Sequence, residues 1–159
     1  MSFAAWVVGI GLLTLLFSGI LERDDNPNPE PETLQDSTGA RSVVLQRNRR
    51  GHYVAPGRIN KHPVIFLVDT GASDVAIPQS VANRIGLEPG FRMRARTAAG
   101  DVYTWSTLLR SVELGGIRLN TIRASILPDM EGEQVLLGMS FLKRLEMIQR
   151  DGSLTLRLP

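Results

Sequence analysis

The sequence predicts a mainly β, barrel-like domain with one or two short helices, preceded by a transmembrane helix. Three observations predict it. From Arg41 onward, short apolar and β-branched runs are separated by Gly, Pro, Asn and Asp turn signals. Only two stretches of that region carry helix start and stop signals. Residues Phe3 to Leu21 contain no charged side chain, a length that suits a short membrane-spanning helix.

The chain divides into three parts. Residues 1–21 are expected to be an uncleaved signal anchor, because no basic region precedes the apolar run and no A-x-A ending closes it. Residues 22–40 are acidic, rich in proline and poor in apolar side chains, so they read as a disordered linker. Residues 41–159 form the folded domain.

Its elements follow in order. SVVLQR is the first strand candidate. HYVAPGRIN and VIFLVDT form a hairpin turning near Lys61-His62-Pro63. PQSVANRIG has proline at a helix start and Gly86 at its end. FRMRART and VYTWSTLLR make a second hairpin around Ala98-Ala99-Gly100-Asp101. SVEL, IRL and TIRASIL follow as strands, and VLLGMSFLKRL runs from a strand into a second helix. EMIQR and SLTLRL close the chain as a third hairpin, with Asp151-Gly152 suited to a two-residue type I′ turn.

Composition removes several kinds of chemistry. With no cysteine there is no disulfide, thiolate nucleophile or zinc-thiolate site. His52 and His62, the two histidines, lack a metal-ligand pattern, so neither a metal nor a cofactor is expected. The net charge of +2 hides an asymmetry: residues 22–36 carry −5, so the remainder carries +7, nearly all arginine. That excess suits an anionic partner in principle. The arginines are scattered, with no aromatic interleaving and no basic recognition helix, so a solvated basic surface is the better reading and no nucleic acid is expected.

One stretch carries chemistry. FLVDTGASDVAIP, Phe66 to Pro78, sets Asp69 at the end of an apolar strand. A carboxylate there is costly unless it is paired, hydrogen-bonded or used. Gly71 lets backbone approach closely, and Ala72 and Ser73 are small. Asp74, in the strand that follows, could bind substrate backbone or brace an arginine, and the bracing role is the better reading.

Val68-Asp69-Thr70-Gly71-Ala72-Ser73 resembles the catalytic motif of the retropepsin-like aspartic proteases. Leu136-Leu137-Gly138, followed by a short helix, resembles the family's second hallmark. The likeness spans about residues 41–159, and the layout of anchor, linker and domain is similar to the bacterial membrane-anchored members. It implies a retropepsin-like acid-protease half-barrel with Asp69 as the catalytic residue and Thr70, Gly71, Ala72 and Ser73 as the active-site loop. Leu136, Leu137 and Gly138 would be the supporting strand. The hairpin carrying Ala99, Gly100, Asp101, Tyr103 and Trp105 would be the flap over a bound peptide. Met139 stands where viral enzymes have an arginine, and the hairpin tip holds fewer glycines than viral flaps.

The chemistry of the family needs two carboxylates sharing one proton. This chain holds one D-T-G and no second D-T-G or D-S-G. The resemblance therefore implies a homodimer, with Asp69 of each copy at a two-fold axis and Thr70 bonded across it. The function expected is an aspartic endopeptidase acting on peptides or proteins, held to the bilayer by the N-terminal helix. The expected location is the inner membrane, with the domain in the periplasm. The alternatives are a catalytically silent dimerisation module on the same fold and a tethered binder of anions.

Overall fold

A closed sheet of short strands organises the molecule. The computed structural model describes residues 25–35, 37, 39–97 and 100–159. The expected anchor at 1–21 and the hairpin-tip residues Ala98 and Ala99 lie outside them. Among the described residues no helix is long and apolar enough to cross a membrane.

The strands are β1 (Glu32–Gln35), β2 (Arg41–Gln46), β3 (Val54–Ile59), β4 (His62–Val68), β5 (Val75–Pro78), β6 (Arg92–Thr97), β7 (Gly100–Leu114), β8 (Ile117–Leu127), β9 (Gln134–Leu137), β10 (Glu146–Arg150) and β11 (Ser153–Arg157). Two short helices are described, α1 (Gln79–Arg84) and α2 (Met139–Leu142). The fold is mainly β, as the sequence predicts.

Seven strands run in the order β3-β4-β9-β5-β8-β7-β6, and β3 also pairs with β7, which closes the sheet into a barrel. Alternation along β4 explains its burial: Val64 and Phe66 point inward while Ile65 faces out. Phe66, Ile59, Ile77, Leu109, Ile122 and Ile126 are fully enclosed. Each such side chain contributes about 1.5–3 kcal/mol by leaving water.

Strand β7 serves three neighbours along its 15 residues. Its last residues pair with β3 through Ile59↔Val112 and Gly57↔Leu114. Its middle pairs with β8, starting at Trp105↔Ile126. Before Trp105 it pairs with β6 alone, through Arg92↔Trp105 to Thr97↔Gly100. The β6–β7 hairpin therefore projects beyond the barrel.

The second sheet has the order β1-β2-β11-β10 and gathers both ends of the described chain. Its inner face is a row of buried side chains, Val43, Leu45, Leu154 and Leu156. Asp151 (φ 49°) and Gly152 (φ 79°) form the turn between β10 and β11, both in the left-handed region that a type I′ turn requires.

Three expectations need correction. The disordered linker read over 22–40 does not extend to residue 40. Glu32–Gln35 form a strand on β2, and Asn28 is buried, donating to the carbonyls of Gln46 (2.9 Å) and Val54 (2.8 Å) and accepting from the Gln46 N–H (2.6 Å). One well-bonded side chain ties down a segment whose composition argues against order. The first hairpin turns at Asn60 (φ 49°) and Lys61 (φ 73°), not at Lys61–Pro63, because Ile59 pairs with His62. Finally, SVEL, IRL and TIRASIL are not separate strands: SVEL ends β7, and the other two form β8, kinked at Thr121 (φ 57°). Arg144 steadies the kink by donating to the carbonyls of Asn120 (2.9 Å) and Thr121 (3.2 Å).

Candidate active site

The topology singles out the segment between β4 and β5. Strand β9 lies between those two strands, parallel to β4 (Val68↔Leu137) and antiparallel to β5 (Ala76↔Leu136). Residues 69–74 must cross the end of β9 to pass from one to the other. Asp69 sits at the start of this crossing, half-buried, while Thr70, Gly71 and Ser73 are exposed and Ala72 is half-buried.

The carboxylate is held locally. The Gly71 N–H donates to Asp69 Oδ1 at 2.8 Å, an Asx-type turn that fixes the side chain against its own loop. A Cβ at Gly71 would stand 3.1 Å from that oxygen, closer than ordinary contact. A side chain at this position would push that oxygen aside by a few tenths of an ångström.

The loop's backbone is bonded in turn to the strand and helix below it. The Asp69 N–H donates to the Leu137 carbonyl (3.2 Å), and the Ala72 N–H closes the loop on the Asp69 carbonyl (3.3 Å). The N–H groups of Met139 and Ser140, at the start of α2, donate to the carbonyls of Ala72 (2.8 Å) and Ser73 (2.9 Å). Helix N-termini have such donors to spare. Gly138 makes this approach possible: a Cβ there would collide with the Asp74 carbonyl and lie 2.7 Å from the Ala72 carbonyl oxygen. Leu137 and Gly138 are buried behind the loop, and Leu136 is half-buried beside them.

Sequence reasoning missed Ser140. Its buried hydroxyl donates to the Arg123 carbonyl (2.8 Å) and accepts from the Val75 N–H (3.1 Å), so it joins α2, β8 and β5 beneath the loop. Its neighbours are 17 and 65 residues away, and no local signal marks it. Asp74 is placed as the sequence suggests, in an ion pair with Arg123 at 3.4 Å.

The projecting hairpin carries the other expected residues. Gly100 and Asp101 begin β7 at its tip. Asp101 bridges Arg94 (2.6 Å) and Arg96 (3.5 Å). Tyr103 is exposed, with the Arg92 guanidinium 3.8 Å above its ring. Trp105, at the hairpin's root, is half-buried against the core. Among the described residues no group of His, Asp and Glu could hold a metal ion.

The loop, the strand behind it and the hairpin match a known family. Residues 55–144 match the model of the family described as "gag-polyprotein putative aspartyl protease". This chain belongs to the retropepsin-like aspartic protease family. Among solved structures, a retropepsin-like aspartic protease from Rickettsia conorii superposes with a TM-score of 0.64 at 28% identity, covering 80% of this chain and 95% of that one. The EIAV protease, in complex with the inhibitor HBY-793, superposes with a TM-score of 0.51 at 24% identity, over 62% of this chain and 92% of its own, which speaks to fold alone.

Two curated relatives of this retropepsin-like chain are described as uncharacterized. One, from a Sinorhizobium species and placed in a cobV 5′ region, is 37% identical over 78% of this chain and 55% of its own length. The other, from Rickettsia prowazekii strain Madrid E, is 30% identical over 74% of this chain and 52% of its own. The chain spans about half the length of the curated relatives it matches.

Proposed function

We propose that this chain is an aspartic endopeptidase whose catalytic pair is made by the Asp69 carboxylates of two copies meeting at a two-fold axis. The observation that carries the reading is the Asp69 loop itself. It presents one carboxylate, fixed by the Gly71 N–H, on a tip supported by β9 and α2.

The chemistry runs as follows. One carboxylate takes a proton from a water held between the pair, and the water oxygen adds to the scissile carbonyl carbon. The other carboxyl, protonated, gives its proton to the carbonyl oxygen, leaving a neutral tetrahedral diol. Collapse breaks the C–N bond as one carboxyl gives its proton to the departing nitrogen and the other carboxylate takes a proton from a diol hydroxyl, leaving a carboxylic acid and an amine. Thr70 of each copy would bond across the axis. The β6–β7 hairpin would lie over the peptide and hold it extended by strand-like hydrogen bonds.

The uncharged run at 3–21 suits a bilayer anchor, with the domain on the periplasmic side. Protease protection of a C-terminal tag in intact cells, with loss of that protection when the outer membrane alone is opened, is the expected result.

The reaction is tested by Asp69→Asn, which keeps the loop's size and removes the charge. Cleavage of a denatured protein at acidic to mildly acidic pH should fall on the order of 10³-fold or more, with folding unchanged. Undiminished cleavage by the variant would remove Asp69 from the mechanism.

A further inference from the structure

The described chain enters the domain at one end of the terminal sheet, and that end is basic. β2 stops at Gln46, and residues 47–52 turn back to Tyr53, which bridges to Arg47. Asn48 builds this turn. Its buried side chain accepts from the N–H groups of Arg50 (3.0 Å) and His52 (2.9 Å), and its Nδ2 donates to the Asp25 carbonyl (3.0 Å). An asparagine that bonds its own loop in this way holds the backbone in one shape.

Arg47, Arg49 and Arg50 are exposed around the turn. The β10–β11 turn lies against them, because the Arg47 N–H donates to the Gly152 carbonyl (2.9 Å), and it brings Arg150 and Asp151 to the same end. A hollow of about 600 Å³ between the two turns is lined by Arg47, Arg49, Arg50 and Asp151. Arginines that lie far apart in the sequence therefore gather here, sharing the place with Asp25 and Asp151.

The same turn grips the incoming chain. Asp25 is held by the Asn48 bond and by an ion pair with Arg50 at 3.4 Å, and Asn28 is buried three residues later. Three residues, Glu22, Arg23 and Asp24, separate Asp25 from the uncharged run that ends at Leu21. Fully stretched, the chain from Leu21 to Asp25 reaches at most about 14 Å. A headgroup layer is itself about 5–8 Å deep. With residues 3–21 in a bilayer, the Asn48 turn sits at the headgroups or just above them. The connection is too short to hold the domain away from the surface.

We propose that the Asn48 turn is a lipid contact: Arg47, Arg49, Arg50 and Arg150 take the phosphates of anionic headgroups and set the domain down on this end of the terminal sheet. This rests on the anchor reading of residues 3–21 and not on the protease chemistry. Arginine suits the role, because its planar guanidinium bonds two phosphate oxygens at once and stays charged. Each arginine near an anionic surface is worth about 1 kcal/mol. That is too little to carry a free domain to a membrane against Asp25 and Asp151. It is enough to orient a domain that an anchor already holds there, because the contact is then intramolecular. The Arg50–Asp25 pair does not oppose it, since both side chains are exposed and such a pair gains little over hydrated charges. Nucleic acid fits less well, because residues 47–52 offer no Phe, Tyr or Trp on which a base could stack.

The absence of cysteine lets single labels report where the domain sits. His52 lies in the basic turn, and His62 lies at the far end of the β3–β4 hairpin, a strand length of about 20 Å away; both are exposed. The full chain carrying a fluorescent label at His52→Cys or at His62→Cys is reconstituted in vesicles whose headgroups bear a quencher. The vesicles are phosphatidylcholine alone or an even mixture with phosphatidylglycerol. In the mixture, quenching should be several-fold stronger at His52→Cys than at His62→Cys. It should fall to the phosphatidylcholine level when Arg47→Gln, Arg49→Gln and Arg50→Gln are combined, and the difference between lipids should shrink in 1 M salt. The triple variant should keep the parent's unfolding midpoint, since all three side chains are exposed. Equal quenching at the two sites overturns the proposal. So does quenching at His52→Cys that ignores both lipid charge and the arginines, because the short connection alone would then set it. Full relief of quenching by a single-stranded oligonucleotide, at a lower charge concentration than the lipid presents, would assign the turn to nucleic acid and overturns it as well. The anchor is read separately, by alkaline carbonate washing. A chain that the wash removes, yet that still binds phosphatidylglycerol vesicles through the arginines, leaves this contact standing and defeats the anchor. A chain that the wash leaves in place, with equal quenching at both sites, does the reverse.

Discussion

The Asp69 loop and the β6–β7 hairpin are expected to face one substrate, yet they are held by different forces. The loop is tied by backbone hydrogen bonds to β9 and α2 and lies over buried Leu137, Gly138 and Ser140. The distal hairpin has a single neighbour strand on each side of its turn and is trimmed by exposed ion pairs. Buried, directional contacts fix position, while solvated charges fix little. The lesson is a division of labour in which the Asp69 carboxylate has a firm seat and the hairpin proposed to admit a peptide is loosely held.

Breaking the seat should have the larger consequence, and Gly138→Ala is the sharpest way to do it. The added Cβ would press on the Asp74 and Ala72 carbonyls, which are backbone and cannot swing aside. A stability loss of about 2–4 kcal/mol is expected, of the size seen for overpacking at its worst. Denaturant unfolding measures it. Cleavage should fall further than the folded fraction does, because the loop would be displaced in molecules that still fold. A neutral result would mean that the loop and α2 can part without cost.

Ser140→Ala tests the layer beneath at a lower level. It leaves the Val75 N–H and the Arg123 carbonyl without their hydroxyl partner, at a cost of about 1–3 kcal/mol for unsatisfied buried groups. The expected signature is a lower midpoint with an unchanged m-value. If Ser140→Ala proves as mild as a surface change, the seat is no firmer than the hairpin.

Much of this division was legible in the residues, and what was hidden shares a cause. Asp69-Thr70-Gly71 and Leu136-Leu137-Gly138 are local signals, since glycine leaves room for the Asp69 oxygen at the one and for close backbone at the other. Asp151-Gly152 announced its turn for the same kind of reason. Asn28 and Ser140 gave no sign, because their partners lie 17 to 65 residues away and only the folded sheets bring them together. The acidic, proline-rich composition around Glu32 argued for disorder correctly on average, but three hydrogen bonds to one side chain outweigh an average. β7 and β8 read as fragments because polar residues such as Asn120 and Thr121 interrupt their apolar alternation, and pairing to one another carries them through.

The smallest effect should come from the hairpin, and it is the one that decides whether the contrast is real. Asp101 holds Arg94 and Arg96 together on the solvent side, all three well exposed. Asp101→Ala should cost under about 1 kcal/mol, because exposed ion pairs gain little over hydrated charges. The difference from the parent chain should shrink further in 1 M salt, where the Debye length is about 3 Å. The guanidiniums of Arg94 and Arg96 would then repel across one strand face, so the tip should open more readily. The expected result is a KM changed several-fold at nearly constant kcat and constant midpoint. A fall in stability matching Ser140→Ala would show that the hairpin is locked as firmly as the loop. Peptide entry would then have to be governed elsewhere.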